Sequence, residues 1–224
     1  MSSDEIRVAF PASELLRNNI DRFINAVDAA PSANHSALLE PAIQEFLDRV
    51  LDAFFHGPVR AVGARGRSVN VINSVVSVIS KASHGMASRL VGKSSPAEQQ
   101  ALAEHFRFLR LEMKGQTYVS FPLEAALANR MILTFEEFEA GQGEIKHLVE
   151  AMRALADGAV AHFLDGSIAC MNLGALNRGL VATARATILK SSHMAIEKAL
   201  PAMEAAHRKP VLRYFRGMLL TAPG

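Results

Sequence analysis

The chain has one cysteine, Cys170, no tryptophan and two tyrosines among its 224 residues. A lone thiol excludes an intrachain disulfide and a cysteine-based metal framework. So few large aromatics leave little surface on which single-stranded bases could stack. No stretch reaches the roughly 20 uninterrupted apolar residues that crossing a bilayer requires. The richest segment, 148–164, contains Glu150, Arg153, Asp157 and His162. The opening residues, MSSDEIR, hold no apolar segment of the kind a secretory leader needs. The expectation is therefore a cytoplasmic protein with no membrane span. There is no G-x-S-x-G, no G-K-[ST] phosphate loop and no dinucleotide fingerprint, so the common nucleophile and nucleotide signatures are missing. What remains is ordinary globular material, 50% hydrophobic and 21% charged, which excludes disorder.

The net charge of +2 conceals a pattern. Residues 1–56 carry 4 basic and 9 acidic side chains, and residues 57–116 carry 9 and 3. Residues 117–165 carry 3 and 8, and residues 166–224 carry 8 and 2. The charge thus swings from −5 to +6 and then does so again. Residue identities follow the same beat. VAFPASELLRN (8–18) aligns with VSFPLEAALAN (119–129), sharing Val8/Val119, Phe10/Phe121, Pro11/Pro122, Leu16/Leu127 and Asn18/Asn129. FFHGPV (54–59) aligns with FLDGSI (163–168), KASH (81–84) with KSSH (190–193), and HFRFLRL (105–111) with YFRGMLL (214–220). The offset falls only from 111 to 109. Conserved order, near-constant offset and a matching charge cycle point to a tandem duplication, with repeats at 1–116 and 117–224.

Each repeat reads as four helices. Pro11 and Pro122 suit the first turn of a helix, predicting helices near 11–29 and 122–141. PSANHS (31–36) and GQG (141–143) break the chain before second helices at about 37–55 and 144–165, with Gly57 and Gly166 read as their ends. VNVINSVVSVIS (69–80) is β-branched enough for a strand, but its counterpart GLVATARATILK (179–190) is alanine-rich, so both are read as helical. Ser95-Pro96-Ala97-Glu98 is a capping box that opens the fourth helix. Its partner near 202–220 follows Pro201 and is expected to kink at Pro210. GQTYVSF (115–121) is read as the linker. The predicted fold class is all-α: two four-helix units packed as one pseudo-twofold bundle, with apolar surface to spare for a homodimer.

Candidate chemistry follows the repeat. Asn70, Asn73, Ser77, Lys81, His84 and Ser88 fall on one polar stripe of the third helix, and Thr183, Lys190, His193 and Glu197 on its counterpart. A lysine and a histidine three apart lie side by side, and both can donate to an anion. Arg107 and Arg216 recur on the fourth helix. The bland alternative is a polar face hydrogen-bonded to neighbouring helices. The loop 58–68 sets Arg60, Arg65 and Arg67 around two glycines, a second place for an anion. Glu144/His147 and Glu204/His207 both match E-x-x-H, the pair that di-iron bundles use. Neither pair recurs in the first repeat, and Glu144 suits a helix N-terminus on dipole grounds alone. Cys170, in the apolar run IACMN, reads as a small buried hydrophobe.

The leading expectation is a non-catalytic binding or regulatory protein. It would engage an anionic small molecule or an acidic protein surface through Lys81, His84, Lys190 and His193, with Arg107 and Arg216 in support. Nucleic acid is disfavoured for want of a motif and of aromatics. Two alternatives stand beside it: a metal- or cofactor-dependent bundle enzyme on Glu144, His147, Glu204 and His207, and a self-associating module. No cofactor is specified by any motif.

Overall fold

The structure, a computed structural model, describes residues 5–63 and 67–222. Strand β1 (Ile6–Pro11) leads into α1 (Glu14–Ala29). Helix α2 (Ser36–Leu51) continues through a π-helical turn, Asp52–His56, into α3 (Gly57–Val62). Then come α4 (Arg67–Val91), α5 (Pro96–Leu109) and β2 (Arg110–Met113). The order now runs again: β3 (Gln116–Pro122), α6 (Ala125–Glu139), α7 (Ile145–Ala159), a π turn at Val160–Asp165 and α8 (Gly166–Ala169), followed by α9 (Ala175–Ala202), α10 (Ala205–Arg216) and β4 (Leu219–Thr221). Taken through their π turns, α2–α3 and α7–α8 are single helices, so the described residues form eight helices, four on either side of Gly115. The protein is mostly helical, as expected. The capping box of α5 is formed, with Ser95 and Glu98 each accepting from the other's backbone, and the β-branched segment 69–80 is helical within α4.

The sheet was not expected. Its order is β2-β3-β1-β4, antiparallel throughout. The recurring V-x-F-P pattern marks its two central strands, and Pro11 and Pro122 close those strands instead of opening helices. Helix α1 starts later, where Ser13 Oγ accepts from Leu16 N at 3.0 Å. A central strand is covered on both faces, so residues 7–10 are all buried and show no alternation to read. The expected linker 115–121 is mostly β3. It is reached from β2 by a two-residue turn, Lys114-Gly115, with φ of +52° and +75°. Positive φ at both positions is the type I′ geometry that matches the twist of a hairpin.

The register has a twofold pattern. Val8 lies opposite Phe121, Ala9 opposite Ser120 and Phe10 opposite Val119, so the pairing is centred on Ala9 and Ser120. Outside it, Val8 faces Leu219 on β4 while Val119 faces Arg110 on β2. At the sequence offsets of 111 and 109 these are the same pairing, and each outer strand joins the central strand from the other side of the chain.

Gly57 and Gly166, expected at helix ends, lie within helices. Gly57 N–H reaches back five residues to Asp52 O, and Gly166 N–H to Ala161 O, leaving the next carbonyl short of its usual donor. Five residues beyond Ala53 stands Pro58, which has no N–H to give. Tyr214 on α10 donates its hydroxyl to Ala53 O at 2.9 Å, and His105 on α5 donates from Nε2 to His162 O at 3.0 Å. The rings need room to do this. The Tyr214 hydroxyl sits where a Cβ on Gly57 would be, and His105 Cε1 lies 2.6 Å from a Cβ built on Gly166. Phe163 gathers the core between these locks, meeting Phe46, Phe10, Phe54 and Phe121 edge-on at 5.1–6.3 Å.

Tyr214→Phe keeps the ring but strands the Ala53 carbonyl. It is expected to lower the unfolding free energy by about 1–2 kcal/mol, read from the urea midpoint. Gly85→Ala, on α4 with open space around it, should instead raise stability by about 0.5–1 kcal/mol.

Candidate functional site

Four of the six basic candidates are engaged by carboxylates of the same chain. His84 Nε2 on α4 lies 3.2 Å from Asp48 Oδ1 on α2, without hydrogen-bond geometry. His193 Nε2 on α9 lies 2.6 Å from Asp157 Oδ1 on α7. Asp48 and Asp157 are themselves 109 apart, so the contact recurs as the sequence does. Arg107 binds Asp28 through Nη2 and also holds Glu104. Arg216 binds Glu139 at 2.9 Å and Glu136 at 3.2 Å. These contacts raise the Arg107 pKa above its ordinary value, first through the hydrogen bond to Asp28. Lys81 and Lys190 are exposed, and among the described residues neither makes an ion pair. No member of the six is hydrogen-bonded or ion-paired to another.

In the arginine loop, Arg60 forks onto both oxygens of Asp52 at 2.6 and 2.8 Å, and this hydrogen-bonded pairing holds the Asp52 carboxyl below its usual range. Arg65 and the Arg67 side chain lie outside the described residues. Glu144 and Glu204 are the N-cap residues of α7 and α10, and both are exposed. Among the described residues no three His, Cys, Asp or Glu side chains gather as metal ligands do. Cys170 donates its thiol to Ala101 O and Gly166 O, and burial pushes its pKa up, the setting of an unreactive thiol. Exposed large apolar residues are spread over α1, α4, α5, α6 and α9.

The feature that sequence reasoning missed is interior space. One chamber of about 100 Å³ lies among α3, α4, α7, α9 and α10. A second of about 110 Å³ adjoins it among α2, α4, α7 and α9. They share Phe54, Phe55, Ala156 and Ser192. Among the described residues the first has a single polar side chain in its lining, Ser192, and no charged one. Its rim runs over half-buried Val59, Val62, Val69, Ile72 and Met203, so it reaches the surface.

The space has a cause in the residues. Ala195 and Ala199 of α9 line the first chamber, and 109 positions earlier stand Met86 and Leu90. Those longer side chains are buried and pack with Val181, Ala184 and Leu164. Ala156 likewise stands where the other half has Leu47. The alanine-rich face of α9 was a visible signal, but it reads as helix propensity until a neighbouring helix fails to fill it. Leaving about 100 Å³ of apolar space unfilled costs on the order of 2 kcal/mol.

A further site of note is the stack of His162 on Phe121 and His105 on Phe108, with ring centroids 5.2 and 6.1 Å apart. Burial lowers the pKa of both imidazoles, and the nearby Arg7 charge lowers that of His162 further. Because the folded values are depressed, the unfolded chain takes up these protons first. The stability from the neutral rings is whole above about pH 6.5 and is lost as pH falls below it, towards the lowered folded values. The urea midpoint should therefore drop between pH 7 and pH 5, before carboxylates titrate. His162→Phe, which keeps the stack without the proton, should flatten that drop.

Compared with protein-family models, curated proteins and solved structures, the chain matches none.

Proposed function

We propose that this is a non-catalytic binding protein, built by fusing two copies of one helical unit, that takes an apolar small molecule into the paired chambers beside α9. The duplication is supported by the repeated element order, the twofold register about Ala9 and Ser120, the reciprocal Tyr214 and His105 locks and the recurring histidine–aspartate contacts. One observation carries the binding reading: positions filled by Met86 and Leu90 in one half are occupied by Ala195 and Ala199 in the other, opening a chamber onto the surface. Natural cores keep few voids larger than a water molecule. Violations of packing that cost stability concentrate at functional sites, and dry apolar cavities bind apolar guests.

Filling the chamber tests this directly. Ala195→Met with Ala199→Leu should raise the thermal midpoint of the free protein by several degrees, following the cavity term. The same variant should lose the stabilisation that small apolar guests such as toluene give the natural chain. At 100 times the dissociation constant that stabilisation is about 2.7 kcal/mol. A natural chain whose midpoint no apolar guest moves would overturn the reading.

The anionic-partner reading rests on Lys81 and Lys190, since His84, His193, Arg107 and Arg216 face carboxylates. Lys81→Ala with Lys190→Ala should weaken binding of an acidic polymer such as heparin and flatten its salt dependence, while leaving uptake of toluene unchanged. Retained heparin affinity in that variant would remove this second reading.

A further inference from the structure

The chemistry of the guest can be read one step further, resting on the chamber assignment above. Ser192 is buried at 5% exposure, yet it lines both chambers. Its counterpart in the other half, Ser83, donates its hydroxyl to Ile79 O one turn back at 2.9 Å. Among the described residues Ser192 is the one polar side chain common to both linings. A hydroxyl in an otherwise apolar wall is where a guest's own polar group finds a hydrogen-bond partner and avoids the cost of being buried without one. Of the two equivalent serines, only Ser192 lies where the chambers meet.

We infer that the guest is a neutral molecule with one polar group flanked by apolar arms, held by a hydrogen bond to Ser192 Oγ where the two chambers meet. Dialkyl ketones, secondary alcohols and small esters have this form. The rest of the lining supports the assignment. Phe54, Phe55 and Ala156 complete the wall common to both chambers, offering an arm apolar contact on either side. Ser83, the other polar side chain of the second chamber, is already committed to Ile79 O. A carboxylate or ammonium is not the expected guest, because among the described residues no charged side chain lines either chamber and a buried charge without a partner is prohibitively costly. Size follows from volume. A 150 Å³ cavity accommodates benzene, so chambers of about 100 and 110 Å³ taken together suit roughly eight non-hydrogen atoms.

Chain-matched probes test this: 4-heptanone, n-heptane supplied from the vapour, and heptanoate at pH 7.5, titrated calorimetrically into the full chain. The expected result is that 4-heptanone binds about three- to tenfold more tightly than heptane, the worth of one neutral hydrogen bond, and that heptanoate does not bind. Ser192→Ala should keep heptane binding and erase the preference for the ketone. Equal affinity for ketone and heptane in the natural chain, a preference that survives Ser192→Ala, or tight heptanoate binding would each overturn the inference. If neither heptane nor ketone binds, the chamber reading itself fails, which is a different outcome.

Discussion

The pairing of β1 with β3 is the constraint on which the rest of the molecule depends. It joins residues 107 to 115 positions apart, and its centre at Ala9 and Ser120 sets the position of every other element. Each outer strand comes from the far end of the other half, so neither half can complete its share of the sheet alone. The helices repeat this exchange. A ring from α10 closes the π turn of the first half, and a ring from α5 closes the π turn of the second. A π turn frees a backbone carbonyl inside the protein, and such a group must be satisfied. The two halves therefore hold each other by meeting an obligation that each one creates.

Charge obeys the same reciprocity. The alternation of acidic and basic segments places carboxylates of α1, α2, α6 and α7 against bases of α4, α5, α9 and α10, with Arg153 of α7 and Glu197 of α9 paired in the reverse sense. Most of these pairs are partly exposed, and each contributes at most about 1 kcal/mol. Their value lies in selecting which helix lies beside which. A basic half-cycle in a sequence looks like a binding surface, yet here much of it is neutralised by the preceding acidic half-cycle.

Against so symmetrical a frame, the departures from symmetry are informative. The long helices α4 and α9 correspond and pack on each other, but one carries Met86 and Leu90 where the other carries Ala195 and Ala199. Ser83 bonds back to Ile79 O within its helix, and its counterpart Ser192 lines both chambers. Under the proposed duplication, a residue in one copy is free to change while its counterpart keeps the packing intact. The proposed binding site is what such freedom would leave: space with a serine in its wall on one side, a filled core on the other.

The sequence by itself determined that the protein is mostly helical, with eight helices and a capping box at Ser95. Those properties come from local periodicity and capping chemistry, both written along the chain. It also marked Lys81, His84, Lys190 and His193, but not that the two histidines face aspartates on other helices, because a partner one helix away leaves no trace in spacing. The sheet escaped for a related reason. Buried on both faces, β1 has no alternation, and Pro11 looks the same at the end of a strand as at the start of a helix. The chambers were beyond sequence altogether. A cavity is the difference between what several distant segments supply and what their arrangement requires, and only the packed tertiary structure takes that difference.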